Sequence, residues 1–210
     1  MQQFATFLLL GSIAALAPAL SHADPCDPAR VPDLDGLSPI STVESFGRWD
    51  PDWNGPLAER LVVVGDLRIS NVAAPVRIAA WDGAQWYTFG PGLASSPAAI
   101  ASLFGKLIVG GSSISPVGGS SLGRMAQWNG SGWEALPSTI PAGSVSAMRV
   151  HGDWLYVGGN FNTAGSTAAV NVARWNGIAW QALGSGLNAS VSSIEVLNEE
   201  IIAGGSFTQS

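Results

Sequence analysis

The segments Leu155-Tyr156-Val157-Gly158-Gly159 and Ala173-Arg174-Trp175-Asn176-Gly177-Ile178-Ala179-Trp180 decide the fold, because their pattern recurs along the chain. The first is a short apolar run that ends in glycine, which is typical of a strand buried on both faces. The second contains Asn-Gly between β-rich segments, the strongest short signal for a tight hairpin, because both residues accept positive φ angles. Together they predict a buried strand followed by a hairpin of two further strands.

The same features recur at a nearly constant interval. Each hairpin has one tryptophan before its turn and one after it, and each of these two positions recurs every 47 residues. The first tryptophans are Trp81, Trp128 and Trp175, and the second are Trp86, Trp133 and Trp180. The paired glycines are Gly110-Gly111, Gly158-Gly159 and Gly204-Gly205, and Leu61 to Asp66 is a divergent first copy. An alanine lies two residues before each opening tryptophan, so alternation along a strand puts it on the same face: Ala79, Ala126 and Ala173.

One more apolar segment precedes each glycine strand, so every unit contains four strands. Four short strands in about 47 residues predict an all-β fold, a β-propeller built of four-stranded blades. The blades span 41–94, 95–140 and 141–188, with half a blade at 189–210. A closed ring typically has four to eight blades. We therefore expect a partial β-propeller of about three and a half blades over 41–210. This is either a fragment of a longer protein or a ring completed by self-association through the open edge at 201–203.

The repeat resembles that of the kelch class of β-propellers, in which an apolar strand ending in Gly-Gly precedes spaced aromatics on the next two strands. Here the motif runs from Leu155 to Gly159 and continues with Trp175 and Trp180. Tryptophan stands where kelch repeats usually carry tyrosine. The pattern is more similar to the Gly-Gly, Ala-Arg-Trp-Asn-Gly repeats of secreted bacterial proteins, for which the galactose oxidase central domain is the nearest well-known architecture. The resemblance covers about 41–210 and implies a fold, which by itself does not specify a function.

The N-terminal residues 1–23 have the pattern of a secretory signal peptide. An apolar run from Phe7 to Leu20 is too short to cross a bilayer, and Ser21-His22-Ala23 offers the small residues of a cleavage site. Residues 24–40 form a leader rich in Pro and Asp, which contains the single cysteine, Cys26. We therefore expect a secreted protein without a transmembrane span, located outside the cell, on its surface or in the periplasm.

The charge of the chain argues against nucleic acid as a partner. The net charge is −6, and Lys106 is the only lysine. Binding to nucleic acid or to an anionic membrane needs clustered Lys and Arg, whereas the arginines here are scattered. The expected partner is therefore a protein or a glycan.

The insertion at 50–57, between the first two strands of the first blade, is a candidate calcium loop. Asp50, Asp52 and Asn54 place oxygen atoms at alternate positions before a turn glycine, as at the start of such a loop. The carboxylate that would close the loop is missing. Calcium is therefore the one cofactor hypothesis, and an extended turn favoured by Asp, Pro, Asn and Gly is the alternative.

Eight of the nine tryptophans fall into two classes. The six repeated tryptophans are predicted to pack blades together, because a residue present in every repeat suits a contact present in every repeat. Trp53 in the insertion and Trp154 at a turn are not repeated. These two are the candidates for surface contact with a protein or glycan.

No catalytic residues and no metal ligands other than the calcium candidates are predicted. The string from Gly119 to Gly123 matches a nucleophile elbow but lies in a Gly/Ser-rich loop, and the only histidine after the signal peptide, His151, belongs to a turn. The sequence therefore predicts a non-catalytic propeller that presents loops for protein or glycan binding. Two alternatives stay open. One is a fragment of a galactose oxidase-like or glycan-lyase-like enzyme whose catalytic residues lie outside this chain, and the other is a structural cell-surface repeat protein.

Overall fold

The computed structural model describes residues 36–38, 41–53, 55–70 and 72–209. This part of the chain contains sixteen strands and no helix, which confirms the predicted all-β class. The predicted signal peptide, Cys26, most of the leader and Asn54 lie outside the described residues. Among the described residues there is no helix with the length and apolar character needed to span a membrane.

Twelve of the strands form three antiparallel sheets of four. The first sheet contains β1 (Thr42–Trp49), β2 (Arg60–Leu67), β3 (Val76–Trp81) and β4 (Trp86–Thr88). The second contains β5 (Ala99–Leu103), β6 (Lys106–Gly110), β7 (Met125–Trp128) and β8 (Trp133–Ala135). The third contains β9 (Ser144–His151), β10 (Trp154–Asn160), β13 (Val172–Trp175) and β14 (Trp180–Ala182). The remaining four strands form the small hairpin β11 (Thr163–Ala164) and β12 (Thr167–Ala168) and the last hairpin, β15 (Val191–Leu197) and β16 (Glu200–Gly205).

Within each four-stranded sheet the strands lie side by side in chain order. The first strands of successive sheets are also neighbours, since β1 contacts β5, β5 contacts β9, and β9 contacts β15. The three sheets lie within residues 41–94, 95–140 and 141–188, and the last hairpin lies within 189–210. The chain is therefore a series of similar sheets that meet along their first strands.

Successive sheets stack face to face through buried clusters. The cluster between the first and second sheets includes three residues of the second sheet, Ala126, Trp128 and Trp133. The cluster between the second and third sheets includes three residues of the third sheet, Ala173, Trp175 and Trp180. In the first sheet Ala79 and Trp86 lie on the corresponding face, in a cluster with Leu37. The repeated alanines and tryptophans therefore share one face of each sheet, and in the second and third sheets that face packs on the sheet before it.

In the first two of the three Gly-Gly pairs, the first glycine lets the next sheet come close. A Cβ atom added at Gly110 would lie 2.6 Å from Cγ1 of Val145, and one added at Gly158 would lie 2.5 Å from Cγ1 of Val191. Val145 and Val191 belong to β9 and β15, the first strands of the following sheets. A side chain at either glycine would occupy the space that the valine fills.

In the last two of the three pairs, the second glycine lies beside an irregularity in the strand pairing. A Cβ at Gly159 would collide with the carbonyl oxygen of Ser144, and one at Gly205 would collide with that of Ser190. The register shifts next to these glycines in both β9–β10 and β15–β16. A β-bulge of this kind inserts one extra residue and increases the local twist. In the third sheet, Gly158-Gly159 thus combines a contact between sheets with a bulge within a sheet.

The turn of each tryptophan hairpin is capped by the side chain of its first residue. Oδ1 of Asp82 accepts hydrogen bonds from the backbone N–H groups of Ala84 and Gln85, both at 2.8 Å. Oδ1 of Asn129 and of Asn176 accepts the equivalent pair of bonds. These are Asx turns, which explains why Asp or Asn recurs at this position.

Ionised Asp82 is expected to stabilise the first sheet. The backbone N–H of Gln85, the Tyr87 hydroxyl and the backbone N–H of Ala84 all donate to its carboxylate, and they lower the pKa of Asp82 from the usual 3.8. Because the folded-state pKa lies below the unfolded one, this contribution is full above the unfolded pKa and is lost as the pH falls through the folded pKa. We expect Asp82→Asn, which keeps an acceptor for the turn, to flatten the fall in urea midpoint below about pH 4. An unchanged pH profile in the variant would contradict this role.

Candidate ligand cleft

A cleft of about 270 Å³ lies where the turns between the first and second strands of three sheets meet. The β1–β2 connection contributes Asp50 and Trp53, the β5–β6 turn contributes Phe104, and the β9–β10 region contributes Val150 and Asp153. Because the first strands of successive sheets are neighbours, their turns come together at one end of the stack. The repeated arrangement of the sheets therefore determines the position of the cleft, although the residues that line it are not repeated.

Trp53 is held against the second sheet. Its ring centroid lies 4.9 Å from that of Phe104, with the two planes tilted by 52°. A Cβ added at Gly105 would lie 3.2 Å from Cβ of Trp53, so the turn approaches closely here. Nε1 of Trp49 donates a hydrogen bond of 2.8 Å to the carbonyl oxygen of Gly105 and ties β1 to the same turn. Trp53 is nevertheless 53% exposed, so the anchored ring keeps surface for a ligand.

Asp50 and Asp52 shape the insertion by capping its backbone. Oδ1 of Asp50 accepts hydrogen bonds from the backbone N–H groups of Trp53 at 3.0 Å and Asp52 at 3.2 Å. Oδ2 of Asp52 accepts one from the N–H of Leu57 at 3.0 Å. These bonds fit the extended-turn alternative. Asn54, the third candidate calcium ligand, lies outside the described residues, so calcium binding stays a prediction.

The chemistry of the cleft combines an aromatic ring with carboxylates. Asp50 and Asp153 line it, and its described lining residues include no lysine, arginine or histidine. Carboxylates accept hydrogen bonds from hydroxyl and ammonium groups and repel anions. An indole ring offers a large apolar face with limited conformational freedom. The cleft therefore disfavours an anionic ligand and suits one that has both an apolar face and hydroxyl groups.

Trp154, the other candidate for surface contact, is not among the residues that line the cleft. It begins β10, and Cζ of Arg174 lies 4.2 Å from its ring centroid, so a guanidinium covers one face of the ring. It also packs on the cluster between the third sheet and the last hairpin, near Tyr156. Trp154 therefore takes part in packing, and its role in surface contact stays a prediction.

The repeated tryptophans lie outside the cleft, paired across their hairpins. The ring centroids are 5.3 Å apart in the first sheet, 5.5 Å in the second and 6.1 Å in the third. Aromatic pairs at such separations stabilise the fold beyond their burial alone. Their position between or beside sheets is what a packing role requires.

The residues considered for catalysis lie in different parts of the fold. The string from Gly119 to Gly123 belongs to the β6–β7 connection, where Oγ of Ser121 lies 3.3 Å from Oγ of Ser113. His151 ends β9 in the third sheet, and its Nε2 lies 3.2 Å from Oε2 of Glu199. Within the described ranges, His, Cys, Asp and Glu form no group of three or more that could hold a metal ion.

The sequence did not indicate that Phe104 and Asp153 would share a cleft with Trp53. These residues are far apart along the chain, and neither type stands out in a turn. Their position in the repeat could have identified them, because Phe104 and Asp153 each lie in the turn between the first and second strands of their own sheet. If the first strands of successive sheets are neighbours, residues at these positions meet.

Comparisons with protein-family models, with curated proteins and with solved structures gave no match to this chain.

Proposed function

We propose that the chain is part of a secreted, non-catalytic β-propeller that binds a neutral glycan in the cleft at Trp53. The observation that carries the proposal is the cleft itself. It joins a half-exposed indole, fixed against Phe104, to the carboxylates of Asp50 and Asp153, in a space of about 270 Å³.

The propeller part of the proposal is supported by the stacking of the sheets. Sheets with the same strand order follow one another, and their first strands are neighbours, as in blades arranged around an axis. Each later sheet presents tryptophan and alanine to the sheet before it. Secretion is supported by the signal-peptide pattern of residues 1–23.

A neutral sugar fits the chemistry of this cleft. The C–H face of a sugar ring can pack on the indole of Trp53, and its hydroxyls can donate hydrogen bonds to Asp50 and Asp153. An acidic sugar would bring its charge toward two carboxylates, and no cationic side chain is present among the described lining residues. The volume of about 270 Å³ lies just below the usual range for small-molecule sites, so we expect recognition of a short segment of a glycan.

Trp53→Ala is expected to weaken glycan binding by about tenfold or more, because removing a central aromatic anchor costs well over 1 kcal/mol at many interfaces. The full chain would first be screened on an array of neutral, amino and acidic glycans. The strongest ligand would then be titrated calorimetrically against each variant. Asp153→Asn should give a smaller loss, since the amide still offers an acceptor oxygen.

Leu57→Ala is the matched control for Trp53→Ala. Leu57 lies in the same insertion and is 51% exposed, but it does not line the cleft, so its affinity should equal that of wild type. Equal losses in both variants, binding of acidic glycans alone, or no binding on the array would each contradict the proposal. Chemical conversion of the bound glycan would instead support the alternative that the chain is part of a propeller enzyme.

A further inference from the structure

Large apolar side chains are exposed at both ends of the stack of sheets. In β1, Phe46 is 62% exposed. In the last hairpin, Leu197 is 61% exposed and Ile202 is 46% exposed. An exposed apolar residue is ordinary by itself, so the significance of these three depends on what happens at the same positions in the other sheets.

Strand pairing shows what normally covers the position of Phe46. Relative to their partner strands, Phe46, Met148 and Ile194 hold the same place in β1, β9 and β15. Met148 is buried against the second sheet, and Ile194 is buried against the third. At this position, therefore, a first strand normally packs on the sheet before it. No described sheet precedes β1.

The same comparison explains the exposure of Ile202. It holds the place in β16 that Val62, Ile108 and Tyr156 hold in β2, β6 and β10. Those three side chains are buried in the clusters that join each sheet to the following one. At Ile202, therefore, a second strand normally packs on the next sheet. No described sheet follows β16.

Gly204 lies two residues after Ile202 in β16 and therefore on the same face of the hairpin. It holds the place of Gly158, where the atoms nearest to an added Cβ belong to Val191 and Ile194 of the following first strand. Gly158 is thus the floor of a shallow socket that two apolar side chains fill. The last hairpin has the same floor at Gly204. There an added Cβ would lie 2.6 Å from Oγ of Ser193, its own strand partner, and no side chain of another described sheet lies within 4 Å.

We propose that a second copy of this chain fills this socket, with Val43 and Phe46 of one chain packed on Ile202, Gly204 and Leu197 of the other. By strand register, Val43 and Phe46 are the β1 counterparts of the pair that fills the socket at Gly158. The contact would be head-to-tail, because it joins two different faces of the same chain. It continues, between molecules, the stacking already present within each molecule. None of these five residues lines the glycan cleft, so the proposal does not depend on glycan binding.

Sedimentation velocity of the full chain over low to high micromolar concentrations tests the contact. We expect the weight-average mass to rise with concentration to at least twice that of one chain. Phe46→Lys and Ile202→Lys should each weaken association by at least about tenfold, because each places a charge in an apolar contact. Ile178→Lys is the matched control, since Ile178 is 86% exposed but lies in the β13–β14 turn.

A mixture of two variants separates a specific contact from misfolding or general stickiness. Phe46→Lys and Ile202→Glu should each associate poorly alone but associate when mixed. One junction would then pair the new lysine with the new glutamate, and the other junction would keep both native residues. A wild-type chain that stays monomeric throughout, a mixture that fails to associate, or an equal loss in Ile178→Lys would overturn the proposal.

Discussion

Replacing Trp175 by alanine is expected to lower the free energy of unfolding by about 3–5 kcal/mol. Trp175 is only 3% exposed and belongs to the cluster that joins the second and third sheets. Its ring is stacked on that of Trp180 at 6.1 Å. Removing the indole leaves a cavity between two sheets whose backbones are held by strand pairing, so the site can collapse only in part. Urea unfolding followed by far-UV circular dichroism would measure the loss.

Trp53→Ala is the control for Trp175→Ala, because it makes the same substitution at an exposed position. Because Trp53 packs on one neighbouring turn and keeps half of its surface in solvent, its loss should cost less than about 1 kcal/mol. Trp175→Phe should recover most of the stability lost in Trp175→Ala, since Nε1 of Trp175 is buried and has no hydrogen-bond partner among the described residues. Equal costs for Trp53→Ala and Trp175→Ala would show that Trp175 does not join the two sheets.

The strands were predictable because each has a strong local signal. The Asn-Gly turn after Trp128 requires a hairpin, and the apolar run from Leu155 to Val157 requires burial on both faces. Both signals act within a few residues, so tertiary contacts are not needed to interpret them. Their recurrence then gave sheets of four strands, which the strand pairing confirms.

The cleft was not predictable in the same way, because it depends on contacts between sheets. Trp53 was identified by being unrepeated, but its partner Phe104 belongs to another unit and carries no local signal. Trp154 met the same criterion, yet Arg174 covers one face of its ring. Absence from the repeat therefore shows that a residue is free of the common packing role, whereas the stacking of the sheets decides what it contacts instead.

Gly158→Ala is expected to destabilise the protein by about 1–3 kcal/mol, although alanine alone favours a strand over glycine by roughly 0.5–1 kcal/mol. The added methyl would lie 2.5 Å from Cγ1 of Val191 and 3.0 Å from Cδ1 of Ile194. Neither side chain is the flexible end of a long one, so the last hairpin must shift away from the third sheet. The steric cost therefore outweighs the backbone gain. At Gly132 an added Cβ meets no atom within 4 Å, and Gly132→Ala is the matched control, expected to be neutral or slightly stabilising.

A double-mutant cycle tests whether the contact with Val191 is the cause. Val191→Ala alone should destabilise, because it removes two buried methyl groups. In the Val191→Ala background, however, Gly158→Ala should cost much less than in wild type, because the methyl then enters the space that valine has left. We expect a coupling of about 1 kcal/mol or more between the two positions. Additive costs would mean that the glycine is required for the conformation of β10 itself, and the stacking of one sheet on the next would then need another explanation.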